Sequence, residues 1–115
     1  MSVVISDRAG GDLARIYAYL ATTRDVEAAE RFRVRAEKAL TQLGVYPDLG
    51  PHPAWATRHE PLRFWVISRT NYIIYYEPSK SGVSIERVLD GRRDVHRIIE
   101  LGLEDPADRT EEPDN

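Results

Sequence analysis

The sequence predicts an α+β fold in which an N-terminal strand, an αα-hairpin and three further strands form one two-layer domain. Two amphipathic segments between residues 7 and 44 repeat their apolar residues at helical spacing. Three strand-like runs follow between 62 and 89, the first two rich in aromatic and branched residues, separated by turn residues at hairpin length. A chain of 115 residues buries enough surface for one core and no more. The domain is therefore expected over residues 1–103, as a β-α-α-β-β-β arrangement closed by a short C-terminal helix, with an acidic tail at 104–115.

Val3-Val4-Ile5 is a short apolar run, ended by Ser6 and Asp7, which both suit a helix N-cap. Ala9, Leu13, Ile16, Tyr17 and Leu20 then share one helical face. Thr22 to Asp25 breaks this pattern, and Asp25 caps a second helix carrying Ala29, Phe32, Ala36, Ala39, Leu40 and Leu43 on one side. Glu27–Arg31 and Arg33–Glu37 stand at ion-pairing spacing on the other side, and Gly44 with Pro47 is expected to end the helix. Four prolines and two histidines mark 47–61 as an irregular connection. The strands are Leu62–Ile67, Tyr72–Glu77 and Val83–Leu89, and links this short predict an antiparallel meander. Two intervening helices return the chain, so the first strand is expected to join the sheet antiparallel as well. Val95, Ile98 and Ile99 form the inward side of a helix within 92–101.

Composition narrows the function. No apolar run reaches the roughly 20 residues of a membrane span, and the N-terminal segment lacks a signal-peptide pattern, so a cytoplasmic protein with no membrane association is expected. Cysteine is absent, which removes thiolate ligands and cysteine nucleophiles. His52, His59 and His96 lack the spacing of a metal site, and no cofactor motif occurs: no Walker loop, no dinucleotide-binding glycines, no serine elbow. No metal and no cofactor are expected. The net charge of −3 hides an asymmetry. The tail holds six of the 19 carboxylates and one of the 16 basic residues, leaving a body with 15 positive against 13 negative charges. Nearly all of that positive charge is arginine, whose planar fork binds phosphate or carboxylate bidentately. The tail reads as a solvated, disordered extension.

The arginines of the sheet half are the candidates for function. Strict alternation places Arg63 with Trp65 and Ile67, and Arg87 with Val83, Ile85 and Leu89. An arginine in phase with apolar residues is either buried and paired, with Glu86 or Asp94 as nearby carboxylates, or faces a functional groove. Tyr72, Tyr75, Tyr76 and Trp65 serve either as core packing or as stacking platforms for bases.

These residues together resemble the ParE/RelE toxin superfamily of bacterial type II toxin–antitoxin systems. Asp12, Leu13, Ile16 and Tyr19 match its D-L-x-x-I-x-x-Y opening. Ala29 and Phe32, Leu40 and Leu43, Pro47 and Gly50, Arg63, the YIIYYE strand and the ending from Ile85 to Asp94 follow in order. The resemblance covers Val3 to about Leu101 and implies a toxin held inactive in a hetero-oligomer by a small ParD-like antitoxin. Leu13, Ile16, Tyr17, Leu20 and Phe32 would line the antitoxin groove. Gly91-Arg92-Arg93-Asp94 is closer to ParE-like members, which poison DNA gyrase, so no catalytic residue is favoured and Arg87, Arg92 and Arg93 would contact the target. The alternative is a RelE-like nuclease that cleaves mRNA on the ribosome, with Arg63, Arg87 and Arg93 on phosphate and His96 as proton donor. A remnant that binds its antitoxin without being toxic is the third reading.

Overall fold

A computed structural model describes residues 2–56 and 61–100. The elements are β1 (Ser2–Ile5), α1 (Asp7–Thr23), α2 (Val26–Val45), β2 (Arg63–Val66), β3 (Tyr72–Ser79), β4 (Gly82–Asp90) and α3 (Val95–Glu100). The fold is α+β, as the sequence predicts. The acidic tail, the domain boundary at 103, Arg58 and His59 lie outside the described residues.

Local chemistry starts both long helices. Ser6 Oγ accepts the Ala9 N–H at 3.0 Å and donates to the Glu86 carbonyl at 3.0 Å, which caps α1 and ties it to β4. Asp25 accepts the Ala28 N–H at 2.7 Å at the start of α2. Arg33 and Glu37 pair at 2.8 Å, as their spacing predicts. Helix α2 runs through Gly44 to Val45 rather than ending at the glycine. Gly44 is there for packing, since a Cβ at that position would lie 2.9 Å from the Val3 side chain.

The sheet order is β1-β4-β3-β2. Strands β2, β3 and β4 form the expected meander, but β1 pairs with β4 in parallel, Ser2 opposite Gly82 through Ile5 opposite Ile85. The sheet is therefore mixed, which corrects the antiparallel expectation. Counting helices leaves strand direction open, because the long connection 46–62 reaches far enough to reset it before β2 begins. That connection is fastened to the sheet as it passes. Gly50 donates its N–H to Tyr76 Oη at 2.9 Å and accepts Arg63 Nη1 at 2.6 Å, while Phe64 N–H donates to the Pro51 carbonyl at 3.0 Å.

Both faces of the sheet are covered. Ala9, Phe32, Ala36, Ala39 and Leu43 of the hairpin pack on Ile67, Ile74, Tyr76, Val83, Ile85 and Val88. On the opposite face Leu62, Tyr75, Leu89 and Ile98 gather with Trp55, Phe64 and Val95, so α3 and the connection add a thin third layer to the two predicted. A bulge decides which residue faces which layer. Tyr75 pairs with Arg87 and Tyr76 with Ile85, which leaves Glu86 as an extra residue in β4. The alternation flips there, so Val88 joins Val83 and Ile85 while Leu89 turns to the other side.

Candidate functional site

The bend between α1 and α2 faces the turns that follow β2 and β4, and the four segments enclose a cleft. Its floor is Leu20, Ala28, Phe32 and Tyr72, and its rim carries Arg24, Arg31, Arg35, Arg69 and Arg92 with Tyr19, Thr70 and Asn71. Phe32 and Tyr72 meet edge to face, centroids 5.4 Å apart at 69°, which fixes the floor.

Each arginine is placed by a different element. Arg24 is the C-cap of α1, its N–H donating to the Leu20 carbonyl at 3.0 Å. Arg31 and Arg35 stand one turn apart on α2, a like-charge spacing that costs a helix about 0.2–0.5 kcal/mol. Arg69 sits at φ 63°, left-handed backbone that costs a non-glycine residue about 1–2 kcal/mol. The turn enforces it: Thr70 N–H and Oγ1 donate to the Ile67 carbonyl at 3.1 and 2.8 Å, and Thr70 Oγ1 accepts from Tyr72 N–H at 3.0 Å. Arg92 is held by Asp90, with Nε on Oδ1 at 3.0 Å and Nη2 on Oδ2 at 2.7 Å.

The shifted groups beside the cleft include Tyr72 and Asp90. Burial pushes the Tyr72 hydroxyl up, and the Asp90 carboxylate adds to it. The Arg92 guanidinium holds the Asp90 carboxyl below its ordinary value of 3.8. A carboxyl depressed on folding stabilises the fold above its unfolded value and loses that contribution as pH falls through the folded one. Asp90→Asn should therefore show a shallower fall of Tm than wild type on acidification below about pH 4. Thermal melts between pH 5 and 2.5 that run parallel for the two proteins would remove Asp90 from the acid response.

A second constellation lies under α1. Asp12 is 3% exposed and takes four donors. Arg15 Nη2 and Arg87 Nη2 reach Oδ1 at 2.8 and 3.0 Å, and Arg87 Nε and the Val88 N–H reach Oδ2, each at 2.9 Å. Strand β1 ends opposite Ile85, so past that point the Asp12 carboxylate takes the place of a neighbouring strand for the Val88 N–H. The partner of Arg87 is Asp12, not Glu86 or Asp94.

The family model described as "ParE toxin of type II toxin-antitoxin system, parDE" matches residues 3–95. The chain belongs to the ParE toxin family. No curated protein matches it in sequence. A solved structure titled "Chromosomal ParDE TA system from P. aeruginosa" is 20% identical at a TM-score of 0.58, covering 76% of this chain and 92% of that one, a likeness of fold.

Within this ParE fold the predicted residues separate. Leu13, Ile16 and Leu20 are half-buried against the main core, Phe32 is buried in it, and the Tyr17 hydroxyl donates to Glu30 across the hairpin. Of these five, Leu20 and Phe32 line the cleft. Arg92 and Arg93 are exposed, and Arg92 joins the rim. Arg63 is turned to the Gly50 and Asp48 carbonyls, Arg87 to Asp12, and His96 lies flat on Trp55 at 4.4 Å and 13°. The sequence does not single out Asp12 as a site residue, nor Arg24, Arg31 and Arg35; Arg69 is one of the sheet-half arginines it offers as candidates, with no role attached. Asp12 carries a signal of its own, a carboxylate inside the apolar stripe of α1 that answers an arginine inside the apolar phase of β4. The rim arginines carry none, because they come from elements distant in sequence.

Proposed function

We propose that this ParE-family toxin inhibits DNA gyrase by binding it, and that a cognate ParD-like antitoxin neutralises it within a hetero-oligomer in the cytoplasm. The observation that carries the reading is the dispersal of Arg63, Arg87, Arg93 and His96. General acid–base cleavage of RNA needs a proton-transfer group and cations around one phosphate. Here Arg63 lies on β2, Arg87 on β4 beneath α1, and His96 against Trp55, each with its own contact. Arg92 and Arg93 instead project from the turn after β4, free of such burial, where a protein surface could meet them. Arg87 would act indirectly, by fixing β4 against α1. For the antitoxin, the exposed apolar edge of β1, with Val4 58% and Ile5 42% exposed, together with the stripe through Leu13, Ile16 and Leu20, offers an extended chain both hydrogen-bonding and apolar contact. Among the described residues no helix is long and apolar enough to cross a membrane.

The test is a gyrase supercoiling reaction with the purified protein, with and without ATP. Loss of supercoiling or accumulation of gyrase-linked cleaved DNA is expected, and Arg92→Ala with Arg93→Ala should weaken it at least tenfold while the protein stays folded, with only the small fall in Tm that losing the Asp90 pair brings. A folded toxin that leaves gyrase untouched and cuts ribosome-bound mRNA would replace this reading with the nuclease one.

A further inference from the structure

We propose that the arginine-rimmed cleft binds single-stranded DNA, its rim taking the phosphodiester backbone and its aromatics stacking on bases. The first argument is charge. Five arginines converge on one concavity from four segments of the chain. Asp90 holds Arg92, and among the described residues no ion pair engages Arg24, Arg31, Arg35 or Arg69. Glu27 stands four residues before Arg31 at pairing spacing, yet the two form no ion pair in this fold. Four guanidinium forks gathered without an ion-pairing carboxylate, beside a fifth held by Asp90, are matched by a ligand with several anionic groups at regular spacing, which is what a phosphodiester chain presents.

The second argument is strain. Arg69 holds left-handed backbone at φ 63°, a conformation that glycine or asparagine adopts more readily. An arginine kept there, with its side chain on the cleft rim, points to a role for the guanidinium itself. The third is the aromatic content. Tyr19 is 58% exposed at the rim and Tyr72 forms part of the floor, so ring faces lie beside the cations. Unpaired bases offer faces to stack on such rings, whereas a duplex hides them. The affinity for a single strand stands without gyrase. The choice of DNA over RNA rests on the gyrase reading, whose target works on DNA.

Fluorescence anisotropy with the full-length protein tests this, using a labelled twelve-residue thymidine oligonucleotide, the matching uridine strand, a duplex of equal length and a labelled glutamate-rich peptide. The thymidine strand should bind tightest, and its log affinity should fall with log salt at a slope of roughly −2, as for about three neutralised phosphates. Arg31→Ala with Arg35→Ala should weaken it at least tenfold and flatten that slope, and Tyr19→Ala should weaken it about tenfold with the slope unchanged. Melting curves show that each variant is folded. Wild-type binding by a folded Arg31/Arg35 variant, or no binding by the parent protein at low salt, would overturn the proposal. Tighter binding of the uridine strand or the duplex would overturn the assignment to single-stranded DNA. Capture of the peptide instead would make the cleft a seat for an acidic protein segment. Because supercoiling and anisotropy are read separately, a null result in one leaves the other standing.

Discussion

Asp12→Ala should remove about 3–5 kcal/mol of folding stability, the cost of breaking a buried ion pair by deleting one partner. Arg87 is 5% exposed and Asp12 3%, so water cannot take over as partner without the helix lifting from the sheet. The Val88 N–H loses its acceptor in the same step. A domain of this size has about 5–15 kcal/mol in all, so the variant should be visibly destabilised in urea. Asp12→Asn keeps an acceptor and removes the charge, and should fall between the alanine variant and wild type. Replacing both partners with apolar residues, Asp12→Leu with Arg87→Met, should recover much of the loss, because the desolvation of two charges disappears with the pair. An alanine variant that unfolds at the wild-type urea midpoint would show that the pair contributes nothing to holding α1 on β4.

Phe32→Ala should cost about 3–5 kcal/mol. The ring is 4% exposed and lies between the hairpin and the sheet, edge-on to Tyr72. Its removal opens a void that the alanine-rich side of α2 cannot fill, since Ala29 and Ala36 are already in close packing there. Leu40 is only partly buried and its truncation should cost less. A Tm for Phe32→Ala within a degree or two of wild type would refute the packing of α2 on β3. The same variant lowers the cleft floor, so oligonucleotide affinity should be compared only at temperatures where both proteins remain folded.

Much of this fold is legible in the chain. Ser6 and Asp25 each accept the N–H three residues on, as their positions before apolar-periodic segments imply. The three strand-like runs form the meander in sequence order. These features depend on neighbours within a few residues, and a linear pattern records them. The direction of β1 is not legible locally, because it depends on where β4 arrives some eighty residues later. The split of β4 between the two layers is hidden for a related reason: the bulge at Glu86 shifts the period of the strand, and strict alternation carries no sign of an inserted residue.

The candidate site divides along the same line. Arg92 and the pair Leu20 and Phe32 could be named from their local setting, and they do meet at the cleft. Arg31, on the outer face of an amphipathic helix, looks in sequence like any solvated charge with Glu27 as its partner, and Arg69 like an ordinary turn residue. Composition and short-range spacing suffice for the elements, their caps, the family and the charge carried by the body. That Asp12 meets Arg87, that β1 runs parallel to β4, and that five arginines face one cleft emerges with the fold. Those are contacts between residues far apart along the chain, chosen by how whole elements pack, and packing is set by shape and burial that no local period encodes.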